Sequence, residues 1–267
     1  MLNNLKTKTF KSVTFFEKTG STNEEAIRRA QSGGKEGEIF IADQQTAGRG
    51  RLGRKWESPA GKNLYLSFLL KPTFSPSSAP WVTMIAGTAV YDALLPFLPP
   101  PLKEELKIKW PNDLYLQDKK IAGILTEMEL DSDRIHWIVC GIGVDLNAEA
   151  KDFSPEVQKI AGSLKTATGQ EIDREEAATR LIEAFEKRYF EFCEKGPGDL
   201  VSFCDRHSYL KGKKVTAEGP DGPFQGTVVG LDLDGFLLVR DKAGETVSII
   251  AGDVTPLPVP SPLRGEG

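Results

Sequence analysis

Between residues 106 and 147 four strand-like runs lie almost end to end: LKIKW (106–110), LYLQ (114–117), KIAGILTEMEL (120–130) and RIHWIVCGIGVDLN (134–147). Turn formers separate them, Pro111-Asn112-Asp113 first and Asp118-Lys119-Lys120 next. A parallel crossover needs about a dozen residues or more, so links this short force antiparallel pairing. Whatever else the chain does, it builds around an antiparallel sheet.

The flanking segments supply helices and further strands. KSVTFFE (11–17) and EIFIAD (38–43) read as strands, and between them STNEEAIRRAQSGG reads as a helix of about three turns. Ser21 with Glu24, or Thr22 with Glu25, has capping-box spacing, and Gly33-Gly34 provides the stop. NLYLSFLL (63–70) is a strand with Leu64, Leu66, Phe68 and Leu70 on one face. Residues 81–97 read as a buried helix ended by LPPPL. A long amphipathic helix follows Asp173, its expected N-cap, and residues 199–208 form a shorter one. From about residue 211 the pattern becomes short strands broken by turns, as in a small β-barrel. The expected division is a domain over 1–209, a barrel over 210–257 and a Pro/Gly tail over 258–267.

With 267 residues and a net charge of −4, the chain does not resemble a protein that coats nucleic acid. The N-terminus carries no secretory h-region, and no apolar run is long enough to span a membrane. Three cysteines without a CxxC pair imply reduced thiols in a cytoplasmic protein. His136 and His207 have no ligand neighbours at zinc spacing, so no metal site is expected, and no GxSxG announces a serine hydrolase.

Against this acidic background GRGRLGRKWESPAGKN (48–63) concentrates Arg49, Arg51, Arg54 and Lys55 among glycines. Gly48, Gly50 and Gly53 have GxGxxG spacing, but no helix opens at the third glycine and no acidic residue follows about 20 positions on. The P-loop pattern also fails, since Arg54 and Lys55 stand where it needs lysine and a hydroxyl. Glycine backbone and forked arginine donors still suit a carboxylate or phosphate. The plainer alternative is a solvated basic turn. Trp56, able to stack on a base, and the amides of QQTAGRG favour a ligand. In KWPNDLYLQDKKIAGIL (109–125) Asn112, Asp113 and Lys120 sit at strand ends. They can converge on a ligand, or they can be ordinary hairpin chemistry. Lys120 alternates in phase with Ala122 and Ile124 and is expected to share their face.

Six motifs in order, STN (21–23), QQTAGRGRLGRKW (44–56), SPAGKNLYLS (58–67), KWPNDLYL (109–116), KKIAGILTE (119–127) and GIGVDLN (141–147), resemble the catalytic domain of the biotin–protein ligases. The resemblance implies an α+β fold like that of class II aminoacyl-tRNA synthetases: a mixed, largely antiparallel sheet with flanking helices, then an SH3-like domain. It implies a monofunctional ligase without the DNA-binding domain of bifunctional members. Biotin and Mg-ATP would react to give biotinyl-5′-AMP, and a lysine of a biotin carboxyl carrier protein would take the biotinyl group. By resemblance Ser21, Thr22, Asn23 and Gln45 line the biotin head group. Arg49, Gly50 and Arg51 flank the carboxylate and α-phosphate. Arg54 reaches the phosphates, Trp56 packs on the adenine, and Lys120 bridges carboxylate and phosphate, with Lys120 and Arg49 the catalytic pair. Asn112 and Asp113 belong to the nucleotide side, where Asp113 orients the carrier lysine or is only a turn residue. The family usually has asparagine at Asp145; an ionised aspartate cannot donate to a ring nitrogen, so Asn147 would share the adenine contact. Homodimers occur in the family. A lipoate–protein ligase, a nucleic-acid-binding module and an inactive biotin-binding paralogue are the competing readings. Exchange of pyrophosphate with biotin or lipoate as the acid separates them.

Overall fold

The structure, a computed structural model, describes residues 5–219 and 222–257. Its larger sheet contains β1 (Ser12–Thr19), β2 (Glu38–Gln45), β3 (Leu64–Leu70), β4 (Leu106–Lys109), β5 (Asp113–Leu116), β6 (Lys119–Leu130) and β7 (Ile135–Val144), in the order β1-β2-β3-β7-β6-β5-β4. The helix Thr22–Gln31 crosses between β1 and β2, which therefore pair in parallel; every other neighbouring pair is antiparallel. The α+β, mixed-sheet expectation holds.

The two faces of this sheet have different fates. Leu64, Leu66, Phe68 and Leu70 point to one face, where the helices Trp81–Leu94 and Arg174–Lys195 cover them with residues such as Ile85, Ala89, Leu181 and Phe185. Phe68 stacks on Phe185 with centroids 4.0 Å apart. Tyr65, Ser67 and Leu69 alternate onto the opposite face. Half of that face lies under the helix Thr22–Gln31, whose Ala26 and Ala30 pack with Leu69, Trp137 and Val139. Over the other half the cleft opens, with Val157 of the short helix Pro155–Gln158 on its wall.

The helix 22–31 starts where expected but not by the expected device. Ser21 is its N-cap, yet its hydroxyl caps nothing. The side chain of Gln45 accepts from the Thr22 N–H at 2.9 Å instead. Glu25 accepts from the Thr19 hydroxyl at 2.5 Å and meets Arg28. Neither capping box forms, because a strand-end amide and a nearer hydroxyl compete successfully for these groups. Asp173 does cap the long helix, accepting from the N–H groups of Glu175 and Glu176.

The second sheet comprises β8 (Lys214–Gly219), β9 (Gly222–Leu231), β10 (Leu237–Arg240), β11 (Thr246–Ile249) and β12 (Val254–Pro256), all antiparallel in the order β11-β10-β9-β8-β12. Val215, Val228, Leu237, Val239 and Val254 form its core, and Trp110 from the end of β4 joins them. The Trp110 Nε1–H donates to the Gly235 carbonyl at 3.0 Å, tying the two sheets together. The expected tail over 258–267 lies outside the described residues. No helix among the described residues is long and apolar enough to cross a membrane.

Candidate active site

The open half of the sheet is paved with glycine. Lys109, Asp113, Gly123, Gly143 and Tyr65 are successive partners in one row across β4, β5, β6, β7 and β3. A Cβ on Gly143 would stand 2.5 Å from the Trp56 indole, and one on Gly123 2.8 Å from it. In the next row, a Cβ on Gly141 would stand 2.0 Å from Asn23 Oδ1. These glycines let side chains from other segments lie against the sheet. The resulting cleft has a volume of about 240 Å³ and opens beneath the 48–55 loop into a wider one of about 990 Å³. Every candidate residue from the sequence except Asn147 lines the narrower cleft.

One end is a hydrogen-bond network of mainly uncharged groups. Ser67 Oγ lies 2.7 Å from Thr22 Oγ1 and 2.6 Å from Asn23 Oδ1. Gln45 accepts from Thr22 and donates to Ser58 Oγ at 3.0 Å. Asn23 donates to Glu127 at 2.8 Å and to the Leu125 carbonyl at 3.2 Å. Ser21 is buried beside them. Glu127 also accepts from Arg49 at 2.9 Å, which joins this network to the basic loop.

The other end is cationic. Gly48 and Trp56 close the loop with a main-chain bond of 2.9 Å, and the Gly50 N–H donates to the Arg54 carbonyl at 2.7 Å. Leu52, at the tip, is exposed and left-handed, with φ of 56°. Arg51 donates to Asn112 Oδ1 at 3.0 Å, and Arg54 pairs with Asp253 beside β12. Burial pulls the Arg51 guanidinium below its ordinary range and nearby Arg54 adds to this, with Asp113 opposing. Lys120 Nζ is 2.7 Å from Asp113 Oδ1, a charge contact without the alignment of a hydrogen bond, and 5.4 Å from the centre of the Trp56 ring. The Trp56 Nε1–H is buried with no hydrogen-bond partner among the described residues.

Lys120 reaches the cleft by a route that simple alternation does not give. Ala122 and Ile124 pack into the helix-covered core, so the expected shared face is wrong. A register shift pairs Leu114 with Ala122 but Tyr115 with Lys120, leaving one extra residue on β6. Such a bulge reverses the pleat, and it brings Lys120 round to the side of Gly123.

Asp145 and Asn147 differ sharply. Asp145 lines the cleft but is only 3% exposed, and its Oδ1 accepts from Asn63 Nδ2 at 2.7 Å. Burial drives its carboxyl well above the usual carboxylate range, and Glu57 adds to this; Lys120 and the Asn63 bond oppose it. Asn147 is committed elsewhere: its Nδ2 donates to the Ile172 carbonyl and its Oδ1 accepts from the Ile172 N–H. Its amide ties the segment after β7 to Ile172, and it does not line the cleft. Asn63 is the organiser that sequence reasoning missed. Its Oδ1 accepts from the N–H groups of Leu146, Asn147 and Ala148 at 3.1, 3.3 and 3.1 Å, shaping the segment that carries Asp145. Ser67 and Glu127 were missed too. Each lies within a quoted motif, and polar residues on strand faces were the available signal. Among the described residues no group of three or more His, Cys, Asp or Glu side chains could hold a metal ion.

Residues 15–145 match the Biotin/lipoate A/B protein ligase family, and residues 211–255 match the Biotin protein ligase C terminal domain. The chain is 34% identical over 244 residues to a biotin–[acetyl-CoA-carboxylase] ligase of Mycobacterium tuberculosis, covering 90% of this chain and 86% of that one. It is 32% identical to the ligase of the same name from Paracoccus denitrificans, covering 86% and 95%. The structure of a biotin protein ligase from Aquifex aeolicus in complex with biotin and ATP superposes with a TM-score of 0.77 at 30% identity, covering 92% of this chain and 98% of that one. A cleft with a neutral end and a cationic end, in this fold and with relatives this similar along nearly all of the chain, places the protein in the biotin protein ligase family.

Proposed function

We propose that this chain is a biotin–[acetyl-CoA-carboxylase] ligase whose single cleft runs both half-reactions. A biotin carboxylate oxygen attacks the α-phosphorus of ATP, the bond from that phosphorus to the β-phosphate oxygen breaks, and biotinyl-5′-AMP and pyrophosphate result. A lysine amine of a biotin carboxyl carrier domain then attacks the acyl carbon, AMP leaves, and an amide forms. The observation that carries this reading is the pairing of a neutral hydrogen-bond network with a cationic loop on one glycine floor.

Ser21, Thr22, Asn23 and Gln45 take the uncharged ureido head. Arg49, Arg51 and Lys120 stand where two anions must meet. Their approach is repulsive in water, and fixed cations in a closed site offset that repulsion without reorganising during the step. Arg54 takes the outer phosphates. Trp56 rests on Gly123 and Gly143 until ligand lifts it against the adenine. Asp113 releases Lys120 to the ligand and then faces the incoming carrier lysine. Asp145, whose carboxyl burial raises well above the usual carboxylate range, lies on the nucleotide side of the cleft. Magnesium enters as part of the substrate Mg-ATP; the described residues offer it no carboxylate cluster, and Asp113 is engaged with Lys120.

The boundary between the ligase domain and the SH3-like domain is put at residues 209 and 210, where the connection into β8 begins. A cytoplasmic setting accords with three free cysteines. Pairing of two copies has β1, an edge strand of the larger sheet, as its available surface, and sedimentation velocity with and without biotin and ATP reads it.

Biotin-dependent exchange of labelled pyrophosphate into ATP, with lipoic acid as the control acid, tests the reading without the carrier. Exchange with biotin alone is expected. Exchange with lipoate alone would move the chain to lipoate ligation, and exchange with neither acid would overturn the proposal.

A further inference from the structure

Lys109 is a cation without an anion. It lines the cleft at the end of β4, yet its ammonium makes no ion pair or side-chain hydrogen bond among the described residues. It lies over the face of Tyr115, 5.7 Å from the ring centre. The other cations on the cleft wall differ. Arg49 has the carboxylate of Glu127, Arg54 that of Asp253 and Lys120 that of Asp113, while Arg51 donates to the neutral amide of Asn112. Lys55 also lacks a partner but is exposed to water. Burial lowers the Lys109 pKa, and Lys120, Arg54 and Arg51 lower it further, against the pull of Asp113. Such a position is unfavourable for a lysine unless something anionic arrives.

The register says which part of a ligand would reach it. Lys109 and Asp113 extend the row that begins with Gly143 and Gly123. Neighbouring strands are spaced about 4.8 Å apart, so Lys109 lies about 10 Å beyond Gly123 along the floor, past the Asp113–Lys120 pair. If the reacting carboxylate and α-phosphate meet at Lys120, the next groups outward are the β- and γ-phosphates.

We propose that Lys109 is a ligand of the pyrophosphate moiety, donating hydrogen bonds to β- and γ-phosphate oxygens and receiving the charge that builds there as the α-phosphorus–oxygen bond breaks. This rests on the proposed function above. Because the contact persists in the product, it makes a demand that a purely structural lysine would not: binding of free pyrophosphate depends on it.

The experiment compares full-length wild type with Lys109→Met and Lys109→Arg. It measures KM for ATP, inhibition of adenylate formation by inorganic pyrophosphate, and biotin affinity by calorimetry. For Lys109→Met, KM for ATP and the inhibition constant for pyrophosphate should both rise about tenfold or more, the scale of one lost charge-assisted hydrogen bond. Biotin affinity should stay within about twofold, since the neutral end of the cleft is untouched, and Lys109→Arg should recover part of the loss. If Lys109→Met does not fold, Lys109→Gln, which keeps much of the stem over Tyr115, replaces it. Unchanged ATP and pyrophosphate constants overturn the inference alone. So does a parallel loss of biotin affinity, which would mark Lys109 as structural. Wild type that supports exchange with neither acid overturns the function and the inference together.

Discussion

The two ends of the cleft are built on opposite principles. At the neutral end Thr22, Asn23, Gln45 and Ser67 are joined to one another or to neighbouring groups, and the network hangs on β2, β3 and the start of the helix 22–31. At the cationic end the cations rest on a loop and on strand ends, each held by one exchangeable side-chain contact or by none. The difference follows from range. A neutral ring is recognised by hydrogen bonds, whose usual lengths reach only about 3.2 Å, so its donors and acceptors must be fixed beforehand. Phosphates are felt through Coulomb forces over a Debye length of about 8 Å at physiological salt, so their partners can wait in other arrangements. Asp113, Asp253 and Glu127 pair with these cations, and in the proposed function a ligand's anionic groups take their place.

Removing Lys120 should break the contrast most severely. Lys120→Ala is expected to cut biotin-dependent exchange by about 100- to 1,000-fold, the usual scale for one electrostatic stabiliser, while the melting temperature changes little. A near-native rate would remove Lys120 from the chemistry. Ser67→Ala attacks the other end. It deletes one hydroxyl that serves both Thr22 and Asn23, so biotin affinity should fall by about five- to thirtyfold. KM for ATP should hold steady, and a matching rise in it would mean that the ends are not independent.

Asp145→Asn sharpens the comparison through pH. Folding raises the pKa of this carboxyl, so the folded protein keeps a proton that the unfolded chain releases near pH 4. Below that pH both states are protonated and the group is neutral in effect. As pH rises through and beyond it, ionisation favours the unfolded chain and stability falls, until the folded carboxyl itself ionises. The variant should therefore gain melting temperature over wild type from pH 5 toward neutrality, with the gap closing in acid. Parallel curves would show that Asp145 is ionised in the folded protein. The smallest effect belongs to Asp253→Asn. Its pair with Arg54 is well exposed, and such pairs contribute about 0–1 kcal/mol. KM for ATP should shift less than about twofold, because in the proposed function phosphate takes the place of this carboxylate on Arg54; a large rise in KM would mean that Asp253 positions Arg54 for the nucleotide.

Much of this was legible in the sequence where a periodic or local signal exists. The alternation in NLYLSFLL assigns Leu64, Leu66, Phe68 and Leu70 to the helix-covered face, and the short links of 106–147 dictate antiparallel pairing. Motif resemblance gathered the candidate residues around one cleft, Asn147 excepted. The failures share a cause. The phase of Lys120 depends on a bulge whose need arises only when β5 pairs. The capping box lost to Gln45, which arrives from another strand. Asn63 acquires its role only when β3 and β7 bring it under residues 146–148. Local rules cannot price partners that folding supplies.

Asp253, Val254 and Thr255 form part of the cleft wall, and Arg54 leans on the first of them. The order of synthesis then matters. A nascent chain that has emerged through residue 211 owns the large sheet, the glycine floor and the loop, yet lacks this wall and the β8–β12 pairing that positions it. Ligase activity should therefore appear late and abruptly during translation. Fusion partners joined just after β12 would crowd the cleft, whereas those joined ahead of β1 would leave it open.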